Sequence, residues 1–217
     1  GGVYKSTNNG ASFTLMVDTP NILGYASDGS TMNGQGAYNL AIKSDPNDAD
    51  VLYVGAITLW KSTNGGATFN LNSPWAYGVH ADKHGFLFSP FNPKKLYVYH
   101  DGGIDLTTNR GDTWTTMEDG LSASEFYKMG SSGLYKDNIL GGLQDNGMDV
   151  AVDKQFSTVR GGDWGGDFAF DAFDKDIVYE NGGIKRNIET RATGSINGSG
   201  GLYTVHPNDS NVMFEAT

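Results

Sequence analysis

Five residues, His80-Ala81-Asp82-Lys83-His84, place two imidazoles and a carboxylate at alternate positions. On an extended strand residues two apart point the same way, so His80, Asp82 and His84 are expected on one face. Further along, His100-Asp101-Gly102-Gly103, Gln144-Asp145-Asn146-Gly147 and Gly161-Gly162-Asp163-Trp164-Gly165-Gly166-Asp167 repeat the theme of a carboxylate beside glycine and a polar or aromatic partner. Cleavage of a glycosidic bond needs two carboxyl groups, about 5–5.5 Å apart for retention and farther for inversion. Asp82, Asp101, Asp145 and Asp163 are the candidates for that pair, and histidine beside aspartate can move the pKa of either group. The same set also suits binding without turnover. His80, His84, His100, Gln144, Asn146, Trp164 and Asp167 offer donors, acceptors and a ring of the kind a sugar or a peptide engages. A third reading is structural, with polar side chains bonded to one another and to trapped water. No metal is expected, because a strand spreads His80, Asp82 and His84 over about 13 Å. No cofactor is expected either.

The elements that must position these residues are marked by a repeat. Ser6–Phe13, Ser62–Phe69 and Thr107–Trp114 all read Ser/Thr-x-Asn-x-Gly-x-Ser/Thr-aromatic. Each copy follows an apolar strand and predicts a strand, a tight turn and a strand. Asn8, Asn64 and Asn109 can bond back to the turn backbone. Gly10, Gly66 and Gly111 supply a backbone conformation that a side chain disfavours. Phe13, Phe69 and Trp114 are expected to pack inward. A second marker is a turn before an apolar strand, with proline at positions 46, 90 and 207 and Ala172 in the same slot. The spacing leaves room for a diverged unit between 90 and 172, which residues 124–130 and 138–147 supply.

The eight-residue pattern resembles the Asp-box, or bacterial neuraminidase repeat, with Asn where Asp is commonest. The resemblance implies an all-β chain, a β-propeller of four-stranded meander blades closed by Asp-box hairpins, incomplete in this fragment. The blades are phased as a tail at 1–16, fuller blades beginning near 37, 79, 124 and 163, and a partial blade from 201. In a meander blade the start of the first strand and the end of the second share a rim. The polar residues above are therefore expected on one rim, together with the Gly-rich loop 29–36, and the repeated hairpins on the other. The order of these motifs is similar to exported sortilin-like and xyloglucanase-like bacterial propeller proteins. That implies a secreted or cell-surface protein, with a glycan or protein ligand and the remainder of its own longer chain as partners. The alternatives are a glycoside hydrolase using two rim aspartates and a scaffold within a larger surface assembly. A sialidase is not expected, since arginines are few and Arg110 lies inside a repeat turn.

Composition narrows the partners. The formal charge is −10 over 217 residues, which disfavours nucleic acid and anionic membrane surfaces as ligands. There is no apolar run long enough to span a bilayer. Cysteine is absent, excluding disulfides and thiolate metal sites. Thirty-one glycines without a Gly-X-Y period suit a turn-dense β protein.

Overall fold

The structure, a computed structural model, describes residues 1–117, 121, 124–152, 155–160, 167–198, 201–209 and 211–216. The described residues are all β, with twenty strands and no helix, and divide into two compact units, Gly1–Ala123 and Ser124–Thr217.

The first unit holds a two-stranded sheet, β1 (Val3–Lys5) with β2 (Thr14–Val17), and two four-stranded sheets. One is β3 (Ala41–Asp45), β4 (Asp48–Gly55), β5 (Leu59–Ser62) and β6 (Asn70–Ser73). The other is β7 (Lys83–Phe88), β8 (Leu96–His100), β9 (Gly103–Thr107) and β10 (Thr115–Thr116). Neighbours in sequence are neighbours in the sheet and antiparallel, which is the meander order of a propeller blade. The second unit repeats this with β11 (Phe126–Ser131), β12 (Ile139–Leu143), β13 (Gly147–Val152) and β14 (Gln155–Arg160). A further sheet comprises β15 (Phe168–Phe170), β16 (Ile177–Glu180), β17 (Ile184–Asn187) and β18 (Thr193–Ser195). β19 (Leu202–Val205) pairs with β20 (Met213–Ala216).

Alternation along the strands builds the cores. In β8, Leu96 and Val98 are fully buried while Tyr99 is exposed, as period-two geometry requires. Ala41, Val51, Tyr53, Leu59, Val79 and Phe86 complete that cluster, and Ile22, Val54, Trp60 and Phe69 form a second. The core of the second unit gathers Leu140, Met148, Val150, Val159, Phe168, Phe170, Val178 and Ile188. Glu180 is buried there, and its carboxylate is paired by Arg186 and by Arg160 at 3.4 Å. That pairing meets the requirement that a charge removed from water be compensated.

The three repeat turns share one set of hydrogen bonds. The hydroxyls of Ser6, Ser62 and Thr107 donate to the Oδ1 of Asn8, Asn64 and Asn109 at 2.9, 3.0 and 2.8 Å. They accept from the backbone N–H of Gly10, Gly66 and Gly111 at 2.9, 3.0 and 2.9 Å. Each asparagine Oδ1 also accepts the N–H of Ser12, Thr68 or Thr113, and each Nδ2 donates to that residue's hydroxyl. The two central residues are left-handed in every copy: Asn9 and Gly10 at φ 55° and 85°, Gly65 and Gly66 at 68° and 90°, Arg110 and Gly111 at 59° and 87°. Paired positive φ values are those of the hairpin turn that matches strand twist, which is why glycine recurs at the second position.

The aromatic that closes each turn behaves differently in each. Phe69 is buried, and Trp114 packs against the core and donates from Nε1 to Asn72 Oδ1 at 3.1 Å. Phe13 is 64 % exposed, against the expectation that all three pack inward. Its sheet has two strands only, and no neighbouring sheet among the described residues covers the ring.

The register places the two ends of a blade apart. Lys83 pairs with His100 and His100 with Gly103, while Phe88 pairs with Leu96 and Leu96 with Thr107. The residues around 80–84 and 100–103 therefore sit at one edge of this sheet, and the turn after Thr107 at the other.

Candidate functional site

The first unit brings His80, Asp82, His84, His100 and Asp101 together, though not by the strand alternation expected. β7 begins only at Lys83, with a register shift between Lys83 and Gly85. Asp82 precedes it in a left-handed conformation, φ 61°, which is uncommon for a residue with a side chain. The kink breaks the period-two pattern, so His80, Asp82 and His84 do not share a strand face. Each finds its own partners.

The Asp82 carboxylate turns toward the loop before β3. Its Oδ1 accepts from Gln35 Nε2 at 3.0 Å and from Asn39 Nδ2. Asn39 is fully buried. His84 reaches across to the β8–β9 turn, where Nε2 donates to Asp101 Oδ1 at 2.5 Å. Its ring meets Tyr38 edge to face, with centroids 5.3 Å apart. His80 stacks on His100, centroids 5.5 Å apart and planes 17° from parallel. The His80 ring lies over Gly102, where a Cβ would come within 2.6 Å of it. His100 is buried and donates from Nε2 to Asp105 Oδ2 at 2.9 Å.

Carboxylate oxygens of Asp82 and Asp101 lie within 4.8 Å of one another. Burial, and then the charge of Asp101, push the Asp82 carboxyl above the ordinary range, while Lys83, the Gln35 hydrogen bond and His80 oppose the rise. Asp82 thus holds a proton to higher pH than a free carboxyl, and Asp101 is oriented by His84. A carboxyl with a raised pKa beside a carboxylate held by histidine is an arrangement suited to acid–base chemistry, and equally to accepting hydroxyl groups from a ligand.

Lys83 was not singled out by the sequence pattern. It is fully buried, and its ammonium donates to Ile57 O at 2.6 Å and Val79 O at 3.2 Å. Burial drives its pKa down to about 7 against the pull of Asp82 and Asp105. Asn39 and Asp105 were also missed, and Gln35 entered only as part of the loop 29–36 expected on that rim. A charged run at a strand start gave the one available hint, since His-x-Asp-Lys-His at a buried strand end requires partners.

In the second unit, Gln144, Asp145 and Asn146 form the turn between β12 and β13. Asn146 Nδ2 donates to Gln144 O at 3.1 Å, Gln144 N–H donates to Glu125 O at 3.0 Å, and Asp145 is left-handed at φ 58°. Leu143 pairs with Gly147, so this turn has three residues where the His100–Gly103 pair encloses two. Both turns end on the glycine that opens the next strand, Gly103 in one and Gly147 in the other, so the extra residue lies on the β12 side. Asp167 pairs with Lys128 at 3.3 Å. Asp163 and Trp164 lie outside the described residues.

No protein-family model matches the sequence, and no curated protein does. Among solved structures the chain is similar to the GH74 enzyme of Niastella koreensis, with 21 % identity over 82 % of this chain and 29 % of that one, at a TM-score of 0.42. It is also similar to the GH74 xyloglucanase from Xanthomonas campestris, with 14 % identity over 83 % of this chain and 36 % of that one, at a TM-score of 0.35. A third likeness is to YCF48 from Cyanidioschyzon merolae, with 13 % identity over 92 % of this chain and 67 % of that one, at a TM-score of 0.31. The chain spans about a third of the length of the two GH74 structures.

Proposed function

We propose that the chain is a glycan-recognising module of an exported protein, built on propeller-type blades, and that it binds through the edge of the first unit carrying Gln35, Tyr38, Asp82, His84 and Asp101. The observation that carries this reading is the juxtaposition of the Tyr38 ring, 61 % exposed, with His84 and the partly buried Asp82–Asp101 pair. A pyranose presents an apolar face and a fringe of hydroxyls, and binding sites that serve it combine a ring with fixed polar groups. Trp75 and Tyr77, both exposed on the loop leading to His80, add aromatic surface beside it in the chain.

The test is retention on a panel of plant and microbial polysaccharides in native affinity gels. Tyr38→Ala and Asp101→Asn should each weaken retention on a polymer that slows the parent chain, and a panel that slows nothing refutes the reading. One observation favours a second reading, glycoside hydrolysis: the raised pKa of Asp82 next to the His84-bound Asp101. In that reading Asp82 protonates the leaving oxygen and Asp101 serves as nucleophile, since the two groups stand too close for the wider gap of inversion. Release of reducing ends that is lost in both Asp82→Asn and Asp101→Asn would establish it over simple binding.

A further inference from the structure

One oxygen of the Asp82–Asp101 pair and one of the neighbouring Asn39 amide have no hydrogen-bond partner. Asp101 Oδ2 is buried and has no hydrogen-bond partner, because His84 takes only Oδ1. Asn39 is fully buried with its amide against the Asp82 carboxylate, and its Oδ1 likewise has no partner. A buried acceptor left without a donor is destabilising. Asn39 turns Nδ2 and not Oδ1 to Asp82, and because that Oδ1 has no donor, no hydrogen bond there opposes a half-turn of the amide. A cation between the carboxylates would engage Asp101 Oδ2 and both carboxylate charges.

The donor set decides which cation. Two carboxylates and the amides of Asn39 and Gln35 are all-oxygen donors, which suit hard cations and not zinc or copper. Two oxygens on one calcium ion stand no more than about 5 Å apart, given bonds of about 2.3–2.6 Å. The Asp82 and Asp101 oxygens, within 4.8 Å of one another, fall inside that limit. Magnesium, with bonds near 2.1 Å and a strict octahedron, tolerates less. A half-turn of an amide exchanges its oxygen and nitrogen in place, so Asn39 and Gln35 can present oxygen to the ion from where they now donate. The expectation that no metal binds rested on a straight strand holding His80, Asp82 and His84; the kink at Asp82 removes that strand and substitutes a different set of ligands.

We propose that Asp82, Asp101, Asn39 and Gln35 form a calcium site at the edge of the first unit. His84 holds Asp101 so that Oδ2 faces the ion, a positioning role. The site shares Gln35, Asp82 and Asp101 with the proposed glycan-binding edge, but calcium binding is measured without a glycan.

Isothermal titration of the chelator-treated chain with calcium chloride tests this, with magnesium chloride in parallel and circular dichroism to confirm folding. Saturable calcium binding is expected with a dissociation constant on the order of 10⁻⁴–10⁻³ M, and weaker magnesium binding. Asp101→Asn should weaken calcium affinity at least about tenfold, since the site loses one of its two charges. Asn39→Asp should tighten it, because a third carboxylate replaces a neutral ligand. Asp112→Asn, an exposed carboxylate in the third repeat turn, should leave it unchanged. If Asp101→Asn does not fold, Gln35→Ala decides, with a weakening of at least about threefold expected. Absence of saturable calcium binding to the parent chain overturns the proposal. So does binding that survives undiminished in the folded Asp101→Asn or Gln35→Ala chain.

Discussion

Replacing Ser62 by alanine removes one oxygen from a turn that occurs three times in this chain, and the three copies allow an internal comparison. The Ser62 hydroxyl bonds Asn64 Oδ1 and the Gly66 N–H, and Ser62 is fully buried. Alanine would strand the Gly66 N–H away from water, a loss of about 1–3 kcal/mol, and would delete the bond to Asn64, worth about 0.5–1.5 kcal/mol net. Relief from burying the hydroxyl offsets part of this, so we expect Ser62→Ala to destabilise the first unit by about 2–3 kcal/mol. Ser6 makes the same bonds at distances within 0.1 Å of those of Ser62, but at an exposed turn. Water replaces what alanine removes there, and Ser6→Ala should cost no more than about 0.5 kcal/mol. Thr107 is buried like Ser62, and Thr107→Val, which keeps its shape, should fall with Ser62→Ala. Urea unfolding followed by tryptophan fluorescence reads the effect, because Trp60, Trp75 and Trp114 lie in the first unit and a Trp164→Phe background removes the fourth. Equal costs at Ser6 and Ser62 would refute the reasoning, since bond geometry rather than burial would then set the stability of the turn.

Lys83→Met should change how stability depends on pH. The folded pKa of about 7 lies below the unfolded value of about 10.4, so the unfolded chain binds more protons between them and stability contributed by this site rises with pH across that window. At about 1.4 kcal/mol per unit, the parent should gain roughly 2–3 kcal/mol on the methionine variant between pH 6 and pH 9, measured by urea unfolding in chelator; a difference flat with pH would reject the buried-lysine account. Gly102→Ala should displace the His80 ring, which a Cβ would approach to 2.6 Å, and shift the His80 and His100 ring proton resonances in the NMR spectrum; unmoved resonances would refute the contact. Trp114→Phe removes the Nε1 bond to Asn72 and should cost about 1–2 kcal/mol in the first-unit transition, with a smaller loss refuting a structural role for that bond.

The turns were legible because everything that forms them is local. Ser62, Asn64, Gly66 and Thr68 satisfy one another within seven residues, so their types and spacing carry the geometry. The blade order followed from the same repeat. The candidate site was legible in membership but not in pairing. Asp82 meets Asn39 across forty-three positions and His84 meets Asp101 across seventeen, and no local pattern encodes either contact. Lys83 escaped notice because alternation assigns it the face opposite His80, Asp82 and His84. The left-handed backbone at Asp82 resets that alternation and sends Lys83 into the core. Phe13 shows the reverse error: the local pattern is intact, but burial depends on a neighbour that the pattern does not supply.

The turn after Thr107 is fastened to the preceding sheet as well as to itself. Tyr53 Oη and Lys61 Nζ both donate to Arg110 O, Asn72 Nδ2 donates to Gly111 O, and Trp114 returns a bond to Asn72. These ties act as a clasp under mechanical load. A chain pulled from its ends would not peel the β7–β10 sheet away alone, because the clasp transmits force into β4, β5 and β6. Both sheets should yield in one rupture that releases about 260 Å of extended chain, rather than two steps of about 110 Å. For a protein held at one end and loaded at the other, that makes a pair of blades, and not the single blade, the smallest element that fails.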